Sequence, residues 1–444
     1  MKKYNNYKDS GIEWIGEIPQ NWEYSRLKLH SLSKTGTTPS RDNEEYWQNG
    51  NIPWMSSGEI NQRIIKVVNS MVTEKAYSST SLTLFPKGSL VIAMNGQGKT
   101  KGMVGILDIE TSFNQSITAF KFDDSVSCKY IYYFIDSKYF DLRGLVGEDR
   151  EGLSSALLKN IYFPLPPLKE QTAIANYLDH KTTQIENLIT QKEQFITLLQ
   201  EERTAVINQA VTKGLDPNVK MKDSGIEWLG EIPEHWEVKS FRFCIDVLTD
   251  YTANGSFASL AENVTYLDSG YSRLVRLTDL RVNLENEGLY VDENAHKFLK
   301  KSELFGGELL IANVGAYAGL VKLMPYLKGK YTLAPNMFLL RLNQNTLFFH
   351  YQLNAPFCNE QLKIASVSSA QPKLNKDNIR QLKVVVPPLN EQELLLKQIE
   401  KECSQIDLIL SNCNKEIELL KEYKTALISE VVTGKVDVRD VVLN

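Results

Sequence analysis

The chain lacks any cysteine pair of the C-x-x-C kind; its five cysteines stand singly at 128, 244, 358, 403 and 413. Such an odd, dispersed set argues against a disulfide framework and against a cysteine-based zinc site, and fits a reducing, cytoplasmic setting. The five histidines, at 30, 180, 235, 296 and 350, are equally scattered, so no metal ligands are assigned. Long apolar runs are missing too. Nothing approaches the ~18 residues of a membrane span, and Met1 to Ser10 is polar, unlike a signal peptide. Charge of one sign is also missing: 50 Lys and Arg stand against 54 Asp and Glu, a net charge of −4. A nucleic-acid partner must therefore be met by local patches.

Catalytic constellations are absent as well. There is no Asn-Pro-Pro-Tyr base-flipping loop and no glycine-rich cofactor loop of a methyltransferase. Asp123-Asp124 and Asp149-Arg150-Glu151 are charged loops without the lysine pattern of a nuclease. Ala93-Met-Asn-Gly-Gln-Gly98-Lys99-Thr100 matches a loose phosphate-binding pattern after a β-run. A helix should then begin at Lys99-Thr100, but the following residues read as turn and strand. The segment is better taken as a glycine-rich hairpin with Lys99 and Lys101 near its tip, either reaching a phosphate backbone or merely solvated. No catalytic residue is assigned.

What the chain does have is repetition. Pro166-Pro167-Leu168-Lys169-Glu170-Gln171 opens a long stretch free of further Pro and Gly that ends at Gly214-Leu215-Asp216. It returns at Pro387-Pro388-Leu389-Asn390-Glu391-Gln392 and runs to Gly434-Lys435-Val436-Asp437. Proline is tolerated at a helix start, Glu170 suits the first turn, and glycine suits the C-terminal cap. Ile174, Leu178, Ile185, Leu188, Phe195, Leu199 and Val206 make a stripe close to a coiled-coil seam. Leu395, Ile399, Ile406, Ile409, Leu420 and Leu427 repeat it. So narrow a stripe on a helix of this length needs a partner helix, and the other copy is the obvious one.

A second repeat precedes each globular region. KDSGIEWIGEIPQNWE at 8–23 recurs as KDSGIEWLGEIPEHWE at 222–237. Gly11, Gly16 and Pro19 make it loop-like, and Trp14, Ile18 and Trp22 supply apolar anchors, so it reads as a structural strap. The globular regions, 24–150 and 240–365, share a plan of β-runs and little residue identity. Ile64–Val68, Ser89–Ala93, Met103–Leu107 and Ser116–Phe122 are the runs of the first, with a helix expected from Cys128 to Tyr139. In the second, Leu309–Ala312 answers Leu90–Ala93, and Met337–Leu342 answers the Ser116 run.

From Arg26 to Lys101 ten Lys/Arg face five Asp/Glu, so the first region is locally basic; from Arg242 to Arg341 the count is eleven against eleven. Electrostatics thus favours a nucleic-acid partner for the first region and is silent for the second. Loop position and side-chain chemistry nominate Lys34, Thr38, Ser40, Arg41, Arg63, Lys99 and Lys101 for contact with DNA. In the second region they nominate Arg273, Arg276, Arg281, Asn313, Tyr317 and Lys322. An ordinary capped turn remains the alternative for the Lys34–Arg41 loop.

Gly36-Thr37-Thr38-Pro39-Ser40-Arg41, Tyr46-Trp47, Ile52-Pro53-Trp54 and the duplicated Pro-Pro-Leu-x-Glu-Gln helix together resemble the specificity subunits of type I restriction-modification systems. The resemblance spans essentially the whole chain. The second region departs from it, with Tyr251 to Ser256 in place of the Gly-Thr-Thr-Pro loop. The resemblance implies an α+β fold with a pseudo-twofold internal repeat. Its two α/β target-recognition domains, 1–165 and 217–386, would be joined by two long antiparallel helices, 166–216 and 387–437, forming a coiled coil, with a tail at 438–444. Each domain would read half of a split sequence in double-stranded DNA, and the helices would set the gap and dock modification subunits. Restriction subunits would join them. S-adenosylmethionine, ATP and Mg²⁺ would belong to those partners, leaving no cofactor and no catalytic residue in this chain. The competing reading is a structural adaptor with two divergent protein-binding domains on a coiled coil, which salt-sensitive binding to duplex DNA would exclude.

Overall fold

The repeated Glu-Gln of each long helix has a structural task. Gln171, fully buried, donates from Nε2 to the carbonyl of Pro166 at 2.9 Å, and its Oε1 accepts from the Ser127 amide at 2.8 Å. Ser127 is the N-cap of the helix Cys128–Ser137, so one side chain ties two helix starts together. Gln392 does the same: Nε2 reaches the Pro387 carbonyl at 2.9 Å, and Oε1 accepts at 3.3 Å from Asn345, the N-cap of Thr346–Asn354. A buried amide meeting several partners is stabilising, whereas leaving those partners unmet costs about 1–3 kcal/mol each. Glu170 accepts from the Tyr4 hydroxyl, and Glu391 pairs with His235 Nε2 at 2.7 Å.

The computed structural model describes residues 2–96, 98–144, 152–226, 228–366 and 372–443. Gln97, the charged loop Asp149-Arg150-Glu151 and Glu227 of the second strap lie outside them. The chain forms two compact units, Met1–Glu193 with Asn414–Asn444, and Gln194–Cys413. The division between the units falls inside the two long helices. Each long helix, Leu168–Lys213 and Leu389–Val432, contributes residues to both units. Both end ahead of a glycine at φ +75°, Gly214 and Gly434. The left-handed region is cheap only without a Cβ, so these glycines are the stop signals.

Within the first unit the two helices run in opposite directions: Glu186 meets Lys424, and Lys192, further along, meets Glu416. Ile174, Leu178 and Ile185 share a core with Leu427, Ile428 and Val431. In the second unit Leu395, Ile399 and Cys403 share a core with Ala210 and Val211, and Arg203 Nε pairs with Asp407 at 3.0 Å. The expected stripe is corrected at three places. Leu188, Phe195 and Ile409 are 41%, 45% and 40% exposed. The half-buried residues are instead Ile189, Lys192 and Ile196, since the row through Ile185 and Leu199 continues through them and not through Leu188. Lys192 thus occupies a seam position and is tolerated there because Glu416 neutralises it.

Each unit carries a main sheet with four strands in the same order, and the first adds a fifth. In the first its order is Ser31–Thr35, Ile117–Phe122, Leu90–Ala93, Val104–Leu107 and Ile64–Ile65, antiparallel except for the last pair. In the second it is Ile245–Asp250, Met337–Leu342, Leu309–Ala312 and Val321–Leu323, all antiparallel. The two central strands in each are buried throughout their first four residues because both faces are covered. The β-run expected over Ile64–Val68 shortens to Ile64–Ile65. A smaller sheet flanks each main one. It is Ser112–Phe113, Ile52–Met55 and Ser70–Val72 in the first unit, and Leu289–Val291, Ser272–Val275, Tyr331–Leu333 and Glu303–Leu304 in the second.

The straps close over helix ends. In the first unit Trp22 is fully buried beside Val431, Val432 and Val436, and Tyr7 donates to the Gly434 carbonyl at 3.1 Å. The Asp437 amide donates to the Lys2 carbonyl at 2.9 Å, joining the two ends of the chain. In the second unit Trp236 is equally buried, in one core with Ala210 and Val211.

Candidate nucleic-acid interface

The Gly36–Arg41 loop is shaped by a close approach that only glycine permits. A Cβ at Gly36 would stand 2.1 Å from the Phe113 carbonyl oxygen. The loop therefore lies directly on the turn that follows Ser112–Phe113. The Thr37 amide donates to the Phe113 carbonyl at 2.9 Å, and Thr38 Oγ1 donates to Gln115 Oε1. On its other side Thr37 Oγ1 meets Ser81 Oγ at 2.9 Å, and Lys34 Nζ donates to Thr83 Oγ1. The Arg41 guanidinium lies over the Trp47 ring, 3.9 Å from its centre, and 5.0 Å from that of Trp54; the two indoles meet edge to face at 5.0 Å. Indole nitrogens of Trp47 and Trp54 anchor the loop backbone through the carbonyls of Ser40 and Thr37, at 2.9 and 3.0 Å. A guanidinium stacked this way keeps its fork of donors free at the edge.

Four nominated residues, Lys34, Thr38, Ser40 and Arg41, thus meet on one polar ledge. Ser81, Thr83 and Gln115 complete it, although sequence reasoning passed over them. The polar run Tyr77-Ser-Ser-Thr-Ser-Leu-Thr83 was the available signal for the first two; an isolated Gln115 offered none.

The remaining nominees of the first region sit elsewhere. Arg63 immediately precedes Ile64–Ile65, at the opposite edge of the main sheet from Lys34, roughly four strand spacings or ~19 Å away. Its Nη1 is held by Asp136 at 3.1 Å and by the Tyr132 hydroxyl at 3.2 Å. Lys99 is exposed on the hairpin tip, and it lines a cavity of about 480 Å³ with Arg63, Tyr139 and Phe140. Lys101 is 2% exposed. The tip folds back on the helix Tyr139–Gly144: Arg143 donates to the Gly98 carbonyl at 2.7 Å and Tyr139 to that of Lys99 at 2.6 Å. That fold-back covers Lys101 and removes it from the surface a phosphate could reach. No helix starts at Lys99, in keeping with the rejection of a phosphate-binding loop.

In the second region two arginines are internal clamps. Arg273 donates to the carbonyls of Leu284 and Asn286 at 2.9 and 3.0 Å. Arg276 forks onto the buried Asp279, with Nη2 at 2.7 Å from Oδ1. Burial alone would raise the Asp279 pKa; hydrogen bonds from Arg276 and Asn286 outweigh it and hold the carboxyl below its usual range. Both arginines are engaged by these intramolecular partners. Arg281 and Tyr317 come together instead, the guanidinium 4.6 Å from the ring centre and both exposed. Asn313 is set into the backbone between Asn336 and Leu374, and its Oδ1 is buried.

Lys322, half-buried, lines a cavity together with His350 and Arg203. Burial, then the Lys322 charge, lowers the His350 pKa to about 4. The folded protein thus keeps His350 neutral while an unfolded chain protonates it near pH 6.5. The stability this contributes is present above pH 6.5 and is lost as the pH falls toward 4. His350→Gln is therefore expected to narrow the drop in melting temperature between pH 7 and pH 4.5. An unchanged drop would mean that folding does not lower the His350 pKa.

Among the described residues no helix is long and apolar enough to cross a membrane, and no three His, Cys, Asp or Glu side chains gather to hold a metal.

The family model described as type I restriction modification DNA specificity domain matches residues 19–197 and 279–419. The chain is 24% identical to the MjaIX specificity subunit of Methanocaldococcus jannaschii, a type I restriction enzyme subunit, over 96% of each chain. It is 22% identical to the EcoKI specificity subunit of Escherichia coli, over 95% of this chain and 90% of that one. A solved chain from work on assembly and conformational transition of the type I R-M system shares the fold, with a TM-score of 0.71 at 12% identity over 94% and 99% of the two chains. The HsdS subunit from Thermoanaerobacter tengcongensis does so with a TM-score of 0.55 at 13% identity, over 94% and 98%.

Proposed function

This chain belongs to the type I restriction modification DNA specificity family, and we propose that each of its two units reads one half of a bipartite target in double-stranded DNA. The observation that carries this reading is the contrast within the repeat. Straps, helix starts and sheet order are duplicated, while the surface side chains of the globular regions differ. A common scaffold with divergent surfaces suits two readers of unlike sequences. In the first unit the ledge of Lys34, Thr38, Ser40 and Arg41 meets the duplex, lysine and small donors holding phosphates while longer side chains reach base edges. In the second, Arg281 and Tyr317 are the favoured contacts. Arg63 and Lys99 have a smaller part, and Lys101, Arg273 and Arg276 none.

The long helices pair as an antiparallel coiled coil that sets the spacing between half-sites and docks modification subunits. Methyl transfer and DNA cleavage belong to modification and restriction subunits, with their S-adenosylmethionine, ATP and Mg²⁺. This chain supplies the address and no reacting group.

The test is to sequence methylated adenines in cells carrying the chain with its modification subunit. Exchanging residues 24–150 for those of a relative should change one half of the methylated motif alone, and inserting one heptad into each long helix should alter only the gap. A swap that changes both halves or neither would refute the division of labour. An unaltered gap would refute the spacer.

A further inference from the structure

The turn at Asn114–Ile117 presents one side chain in a fixed pose. Asn114 locks the turn: its Oδ1 accepts from the Ser116 amide at 3.2 Å, and its carbonyl accepts from the Ile117 amide at 3.1 Å. The Asn114 amide donates to the Met55 carbonyl at 3.0 Å, fastening the turn to the strand Ile52–Met55. The Gly36 amide donates to the Ile117 carbonyl at 3.0 Å, fastening it to the loop as well. Gln115 sits at the apex, exposed, between these ties. Its Oε1 accepts from Thr38 Oγ1, and no described residue accepts from its Nε2.

In the structure this hydrogen bond holds the amide with its oxygen toward Thr38. A free glutamine presents its oxygen and nitrogen in either order. With Thr38 donating, the oxygen stays on the loop side and the nitrogen on the other. The amide oxygen has a second lone pair, and both N–H groups remain available. An ordered acceptor beside a donor is the complement of the adenine edge in the major groove, where N6 donates and N7 accepts.

We infer that Gln115 is a specificity-determining residue that reads an adenine in the half-site of the first unit, with Thr38 as the positioning residue that fixes its amide. The inference rests on the proposed DNA-reading function and names the base and the side chain within it. Lys34, alongside on the same ledge, contributes charge and carries no base preference.

The experiment uses the complete complex with its modification subunits and fluorescent duplexes varied one base pair at a time. For Gln115→Ala, discrimination at one A·T position of the first half-site should fall by roughly 5- to 150-fold, the value of one bidentate contact. The other positions should keep theirs. Thr38→Val should weaken discrimination at that same position by a smaller factor, since the amide is then free to turn. Lys34→Ala should lower affinity for every duplex alike and reduce its salt dependence. Gln115 is exposed, so an unchanged melting temperature separates a reading defect from a folding one. If Gln115→Ala leaves discrimination intact at every position while the complex still binds duplex with a steep salt dependence, the assignment of Gln115 is overturned and the DNA-reading function stands. If the lost preference is for a G·C pair, the adenine assignment is overturned. If the unmodified complex shows no salt-sensitive duplex binding, the DNA-reading function itself falls.

Discussion

Trp22→Ala is expected to destabilise the first unit by about 3–5 kcal/mol, the cost of emptying a fully buried indole site. Trp22 is the largest side chain where strap and helix end meet, packed edge to face on Tyr4 at 5.6 Å between centroids. Its ring stands so close to Gly434 that a Cβ there would meet Trp22 Cη2 at 3.0 Å and Pro19 Cγ at 2.5 Å. No rearrangement of a glycine cap can fill the space it would leave. Yet its Nε1 is buried without a partner, as is that of Trp236 in the equivalent place. A buried donor left unmet costs about 1–3 kcal/mol. Trp22→Phe removes that liability along with some apolar area, so it should cost much less than alanine. Urea denaturation of both variants, compared by midpoint at unchanged slope, measures the difference. Equal losses for Phe and Ala would show that the indole matters for more than the volume it fills. The same pair of substitutions at Trp236 should repeat the pattern in the second unit.

The straps and helix starts were legible in the amino-acid sequence because their physics is local and occurs twice. Proline, glutamate, glutamine and glycine each have a narrow use at a helix end, and Trp22 with Trp236 repeats at matching positions. The phase of the helix stripe was harder to read. Leu188 and Ile189 are adjacent and both apolar, and only the partner's position decides which faces inward. Lys192 on the seam looked like a defect until Glu416 appeared opposite. The site divided along similar lines. The Lys34–Arg41 loop could be recognised from its small residues, and it did gather into one place. Lys101 looked exposed because it lies on a hairpin tip, and what buries it is Tyr139 and Arg143, some forty residues away. Arg276 had its explanation three residues on, in Asp279, an i,i+3 pair that makes a basic cluster less available than its charge suggests. Gln115 has no local pattern at all; its meaning comes from Thr38, 77 positions earlier in the chain.

Gly36→Ala should erase recognition of the half-site of the first unit while sparing that of the second. The reason is steric alone. Gly36 has no left-handed backbone to defend, but a methyl group there would press 2.1 Å from the Phe113 carbonyl oxygen and 2.4 Å from that of Asn114. Both are backbone atoms, held in turn by the strand Ile52–Met55 through parallel pairing. The loop, rather than the strand, must yield. As it lifts, the Thr37 amide loses the Phe113 carbonyl, Thr38 loses Gln115, and Arg41 is carried off the Trp47 ring. Overpacking of this kind costs about 1–3 kcal/mol, too little to unfold a unit whose core contains Val91, Phe113, Ile117 and Ala119, yet enough to scatter the ledge. The expected result in cells is methylation at sites that keep the second half of the motif and have lost the first, or a loss of methylation altogether where one half-site cannot hold the complex. Gly58→Ala is the control, since a Cβ there meets only Ser56 Oγ, at 3.9 Å; its motif should be unaltered. If Gly36→Ala methylates the original motif at the original rate, the close contact of loop and turn does not organise recognition, and the ledge must be sought on another surface of the unit.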